Sequence, residues 1–167
     1  MARKVFDSFH YERDSWRVQQ VKNMGVVEGQ PLLSSNAWEE VRKRGDAAIE
    51  AWIDEQMKGK SCVVILIGYE TAGRKWVNYE LKKGWGDGKG LVGVHIHNLK
   101  TESGRQDAKG ANPFSGFTLC EGKKQLASVA KTYDPPYSDS SRVYVHVKAN
   151  LADWVEEAVT IQTNFKC

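Results

Sequence analysis

Two residues, Trp76 and Glu80, have the types and spacing for chemistry. They stand four apart, so on a helix they share one face. An indole beside a carboxylate excludes water and strengthens the carboxylate's hold on its proton. Such a group suits proton transfer or stabilisation of a nearby cation. The plainer alternative is a solvated helix residue among Lys82, Lys83 and Lys89, and the sequence leaves both open. A second loop, Ser8-Phe9-His10-Tyr11, brings a hydroxyl, an imidazole and two rings just past the first apolar segment. His95 and His97 alternate, as residues on one face of a strand do. With no carboxylate or cysteine close by in sequence, they read as structural residues, and no metal site is expected.

Common ligand signatures are missing. There is no G-x-x-x-x-G-K-S/T phosphate loop, and no G-x-G-x-x-G follows the first strand. The glycines of Gly84-Trp85-Gly86-Asp87-Gly88 follow a helix and read as a turn. The loop His10 to Asp14 lacks the Ser/Thr/Gly cradle that flavin phosphates use. Lysine and arginine total 24 against 21 acidic residues, a net +3 that is too mild to imply a nucleic-acid partner. No apolar run approaches the roughly 18–20 residues of a membrane span. Met1 to Lys4 is basic, but no signal-type apolar stretch follows it. Cys62, Cys120 and Cys167 are far apart and fit neither a disulfide framework nor a clustered zinc site. Cys62 reads as core and Cys167 as a free thiol, consistent with a reducing, cytoplasmic setting.

These residues need elements to position them. Lys4 to Phe9 reads as a strand, and Asp14 or Ser15 as the cap of a helix to about Met24, ended by Gly25. Val26-Val27 and Pro31 to Leu33 suggest a short edge strand. Asn36, with Glu39 three residues on, marks a capping box. From there Trp38, Val41, Ala48, Ile49, Trp52, Ile53 and Met57 fall on one helical stripe, closed by Gly59. Ser61 to Gly68 is continuously apolar, as in a central parallel strand covered on both faces. A short helix from Trp76 to Lys83, a strand from Leu91 to His97, a last strand from Arg142 to Val147 and a helix from Leu151 to Phe165 complete the series.

Strands alternating with helices predict an α/β fold of the open parallel, doubly wound type. All 167 residues read as one domain. A polar insert, about residues 100–141, precedes the last strand and is expected to be mobile, adding little to the core. Within it, Phe117 to Glu121 and Gln125 to Val129 pair as a hairpin. In such sheets ligands bind beyond the carboxyl ends of the strands, which brings the loops after Ser8 and Gly68 together.

The segments F-x-S-F-H-Y (Phe6 to Tyr11), S-N-A-W-E-E, V-I-L-I-G-x-x-T, R-K-W-V-N-Y-E-L (Arg74 to Leu81), V-G-V-H-I-H and G-A-N-P-F (Gly110 to Phe114) together resemble the ThsB-type TIR-like proteins of Thoeris anti-phage systems. The likeness spans about residues 3–114. It implies a flavodoxin-like TIR fold with helices on both faces. It also implies NAD⁺ as substrate rather than cofactor, and a cyclic ADP-ribose-type product that activates a separate NAD-depleting effector.

By the same resemblance Glu80 is the catalytic glutamate. Phe6, Ser8, Phe9 and His10 line the nucleotide cleft, and Asn112 contributes from the N-P-F segment. Trp76 and Phe114 are candidates for shielding the site from water. The chain departs from the pattern at Asp7, where a small or apolar residue is more usual. Self-association stays open, and neither a membrane nor a nucleic acid is expected as partner. Two other readings compete: a non-catalytic TIR-type binding module, and an enzyme like the nucleoside 2-deoxyribosyltransferases.

Overall fold

The computed structural model describes residues 2–167. Its main sheet has four parallel strands in the order β1 (Val5–Ser8), β2 (Cys62–Ile67), β3 (Gly90–His95) and β6 (Lys131–Tyr133). Ser8 pairs with Ile65, and Ile67 with His95, so the carboxyl ends of β1, β2 and β3 open on one edge. β1, β2 and β3 are buried at every residue. That explains why their sequences are apolar runs rather than alternating patterns.

Side-chain alternation splits the core in two. Val5, Val64, Leu66, Val92 and Val94 point to one face, packed by α1 (Tyr11–Asn23) and α6 (Ser140–Asn164). Phe6, Val63, Ile65, Ile67 and Leu91 point to the other, packed by α3 (Asp46–Met57) and α4 (Lys75–Gly86). Helices therefore cover both faces, as the alternating order predicts.

The predicted strand Arg142 to Val147 is instead the start of α6. Val143, Val145 and Val147 alternate like a strand, but Val145 is 64% exposed. The buried set Val143, Val147, Leu151, Trp154, Val155 and Ala158 follows helical spacing without a break. The Asp139 carboxylate caps this helix, accepting from the backbone N–H groups of Ser141 and Arg142.

The fourth strand comes from the supposed insert, as the three residues of β6 pairing with Val92 to Val94. The insert also places Phe114, Leu126 and Ala130 in the core, so it does not stand apart from it. Its hairpin is shorter than expected: β4 (Thr118–Leu119) pairs with β5 (Lys124–Gln125), and α5 (Leu126–Val129) follows as one helical turn.

The single predicted helix from Asn36 to Met57 is two. α2 (Ser35–Lys43) is capped by the Ser34 hydroxyl, not by Asn36, and Gly45 separates it from α3. Gly45 has φ +93°, a backbone state that strains any residue with a Cβ. α1 begins at Tyr11, earlier than the Asp14 or Ser15 cap predicts. The expected edge strand near Val26 shrinks to one parallel bridge, Lys4 with Glu28. There the side-chain amide of Gln30 acts as a piece of backbone: its Oε1 accepts from Asp7 N at 2.8 Å, and its Nε2 donates to Asp7 O at 2.9 Å.

Cys62 is buried and free, as expected, and burial pushes its thiol up to about 12. Cys167 is not a free thiol. It forms a disulfide with Cys120, with Cα atoms 5.5 Å apart, because the end of α6 returns to the β4–β5 hairpin. Among the described residues no helix is long and apolar enough to cross a membrane.

Candidate active site

Glu80 owes its position to the packing of α4. Val77, Leu81 and Gly84 form the helix's buried stripe, and Glu80 falls among them, only 7% exposed. Gly84 allows the close approach: a Cβ there would lie 2.5 Å from Val63 Cγ2. The lysine-flanked, solvated reading of Glu80 is thereby excluded. At the end of β1, buried Ser8 donates its hydroxyl to Glu80 Oε1 at 2.6 Å. Burial pushes the Glu80 carboxyl up to about 8, and the Ser8 hydrogen bond only partly opposes it. The Glu80 carboxyl therefore holds its proton well above the usual carboxylate range, and a nearby positive charge would favour its ionised form.

Glu80 opens into a cleft of ≈ 420 Å³. Phe6, Phe9 and His10 line one wall, with Trp76, Val77 and Arg74 beside the glutamate. His10 is buried, with Nδ1 3.3 Å from Glu12 Oε2 and Nε2 3.8 Å from Glu70 Oε2. Burial first, then the nearby Arg74 charge, lowers its pKa against the pull of these carboxylates. Asp7, the departure from the expected pattern, is buried and held by Lys22 Nζ at 2.8 Å. Burial raises its pKa while Lys22 opposes.

The sequence-predicted residues Phe6, Ser8, Phe9, His10, Trp76 and Glu80 thus converge on one place. Asn112 and Phe114 do not join them. Asn112 Oδ1 accepts from Phe114 N at 2.9 Å, closing a local Asx-turn. Phe114 is fully buried in the core beneath α3 and α4, so it shields no ligand. Both lie outside the lining of the cleft.

The structure adds Trp38 and Trp52 to the aromatic lining. Five rings run in series along the cleft. Phe9 and Tyr11 are 6.1 Å apart, Tyr11 stacks on Trp38 at 5.1 Å, Trp38 meets Trp52 edge-on at 6.4 Å, and Trp52 meets Phe6 at 6.5 Å. Arg42, Arg74 and Lys75 add cations to the lining. Trp38 and Trp52 share the helical stripe that the sequence marks as core, and the break at Gly45 lets the two helices present them to one cleft. Among the described residues no group of three or more His, Cys, Asp or Glu could hold a metal ion.

A buried, hydroxyl-bonded glutamate at the foot of an aromatic cleft, beyond the carboxyl ends of a parallel sheet, suits stabilisation of a developing positive charge. Residues 6–101 match the family described as Thoeris protein ThsB, TIR-like domain. That span contains every residue lining the cleft. A Bacillus cereus (strain MSX-D12) protein named "Putative cyclic ADP-D-ribose synthase ThsB1" is 34% identical over 133 residues, covering 75% of this chain and 69% of that protein. The chain belongs to the ThsB TIR-like family of Thoeris proteins.

Proposed function

We propose that this chain cleaves NAD⁺ between nicotinamide and ribose and closes the remaining ADP-ribose into a cyclic product. The observation that carries the reading is Glu80, buried and bonded to Ser8 at the foot of an aromatic cleft. The name carried by the Bacillus cereus relative supports the same chemistry. Residues 1–167 are proposed to act as one TIR-like unit in the cytoplasm, where NAD⁺ is at hand. NAD⁺ is the substrate, and the reading requires no resident cofactor.

The nicotinamide ring of NAD⁺ is cationic and leaves neutral, taking the bonding electron pair with it, so the leaving group needs no proton. Positive charge then develops on the ribose carbon, as in glycoside hydrolysis. A cationic ring beside Glu80 lowers the carboxyl's pKa and drives off its proton. The resulting carboxylate stabilises the oxocarbenium-like transition state. The ring-lined cleft keeps water from the carbon, which leaves an adenine nitrogen or a ribose hydroxyl of the same molecule to attack. That attack forms the new bond and releases one proton. The product is one water lighter than ADP-ribose and diffuses to an NAD-depleting effector, in keeping with anti-phage defence.

Incubation with NAD⁺ and mass spectrometry tests this. Nicotinamide and a cyclic ADP-ribose product are expected, and Glu80→Gln should lower their formation on the order of 10²–10³-fold. Intact NAD⁺ under conditions of phage infection would favour a binding module. Base exchange on a deoxynucleoside would favour deoxyribosyl transfer.

A further inference from the structure

We propose that α2 is the recognition arm of the cleft: Trp38 stacks on the second base of a dinucleotide, and Arg42 binds its phosphate. The inference rests on the reading that Glu80 acts at the ribose of NAD⁺, and it assigns the other half of that molecule.

Three observations point to it. First, no residue of α2 is buried, and Trp38 belongs to neither core cluster. An indole outside the core is nevertheless held in place, stacked on Tyr11 and edge-on to Trp52, with its flank on the cleft. A ring fixed by neighbouring rings is a preformed stacking surface, so little ordering entropy is lost when a base arrives.

Second, Trp38 and Glu80 reach the cleft from different elements. Trp38 touches residues of α1 and α3, whereas Glu80 and Trp76 come from α4, packed on β1, β2 and β3. The cleft thus offers indoles from two helices, Trp76 on the same helix as the carboxylate and Trp38 on α2. A ligand with a single planar base needs only one of them.

Third, Arg42 is one turn beyond Trp38 on the same helix and also lines the cleft. Its guanidinium contacts Glu12 Oε1 at 3.2 Å and Glu39 Oε1 at 3.0 Å, all three side chains about half exposed. Exposed pairs of this kind contribute little. Exchanging them for a bidentate phosphate contact is favourable. Arg74, also on the cleft, has no carboxylate within ion-pair distance among the described residues and adds positive potential.

Calorimetry on Glu80→Gln protein, which holds ligands without turnover, provides the test with ADP-ribose and nicotinamide mononucleotide as probes. Trp38→Ala and Trp38→Leu should each weaken ADP-ribose about 5- to 150-fold. Nicotinamide mononucleotide, which lacks the second base, should stay within about twofold. Trp38→Phe should restore most of the ADP-ribose affinity. Equal weakening of both probes would show that Trp38 merely shapes the cleft and would overturn the proposal, as would unchanged affinity for ADP-ribose. If the protein with native Trp38 fails to bind ADP-ribose at all, the NAD⁺ reading falls and this inference with it. If it binds ADP-ribose and only the Trp38 variants behave unexpectedly, the inference alone falls.

Discussion

Ser8 Oγ lies 2.6 Å from Glu80 Oε1, and this one hydrogen bond ties the last residue of β1 to the buried face of α4. It is the sole side-chain hydrogen bond to Glu80 among the described residues, so the carboxyl's orientation depends on it.

Glu80→Gln should raise stability at pH 8 while removing activity. The folded protein holds the Glu80 proton up to about pH 8, whereas an unperturbed glutamate loses it near 4.5. Folding is therefore favoured by this proton below about pH 4.5, and the advantage drains away as pH rises toward 8. The amide keeps the shape, accepts the Ser8 bond and cannot ionise. Melting curves at pH 5 and pH 8 should show the wild-type protein losing more stability than the variant. Parallel pH dependence would place Glu80 in water.

Ser8→Ala removes the group that favours the ionised carboxylate. Losing a hydrogen bond to a charged group typically costs about 1.5–3 kcal/mol. We expect kcat/KM for NAD⁺ to fall roughly 10- to 100-fold. In the wild-type enzyme kcat/KM should rise through about pH 8, the value for free Glu80. In Ser8→Ala that limb should move to higher pH. A drop in rate with an unmoved pH limb would limit Ser8 to packing.

Reduction should loosen the chain without silencing the cleft. The Cys120–Cys167 bridge joins residues 47 apart, and such links typically contribute about 2–4 kcal/mol. Dithiothreitol and Cys120→Ser should lower the melting temperature by a similar amount. The reductant should have no further effect on the variant. Equal melting with and without reductant would show that the two cysteines do not pair.

Asn112→Ala should lower the melting temperature modestly and spare activity. Its carboxamide closes a turn onto Phe114 N and lies away from the cleft. The cost should be about 1 kcal/mol, that of one hydrogen bond. A variant with native stability and lost turnover would return Asn112 to the site, as the family resemblance implies.

The sheet's centre was legible because Cys62–Ile67 and Gly90–His95 are buried on both faces and their residue types say so. The four-residue spacing from Trp76 placed Glu80 on a shared helix face but left its role open, and only the resemblance of the R-K-W-V-N-Y-E-L segment singled it out. β6 was not, since three residues, Lys131 to Tyr133, pair only with β3 and carry no apolar run. The first turns of α6 misled because β-branched valines alternate there, and only the longer stripe to Ala158 reveals a helix. Trp38 and Arg42 stayed hidden for a different reason. A continuous stripe from Trp38 to Met57 implies one helix facing one core, and the geometry at Gly45 that divides it is a property of the backbone.

Gln30 has a bearing on how copies of this chain can meet. An exposed strand edge invites a foreign strand to extend the sheet. On β1 most of the outward groups are already taken: Val5 N donates to Glu28 O and both backbone groups of Asp7 are bonded to the Gln30 amide, while Arg3 O, just before the strand, accepts from Glu28 N. A side chain thus seals the border of the sheet where a full neighbouring strand would otherwise lie. Growth by strand addition is closed off on that flank, so self-association there would have to engage helix surfaces or loops, leaving the backbone ladder untouched.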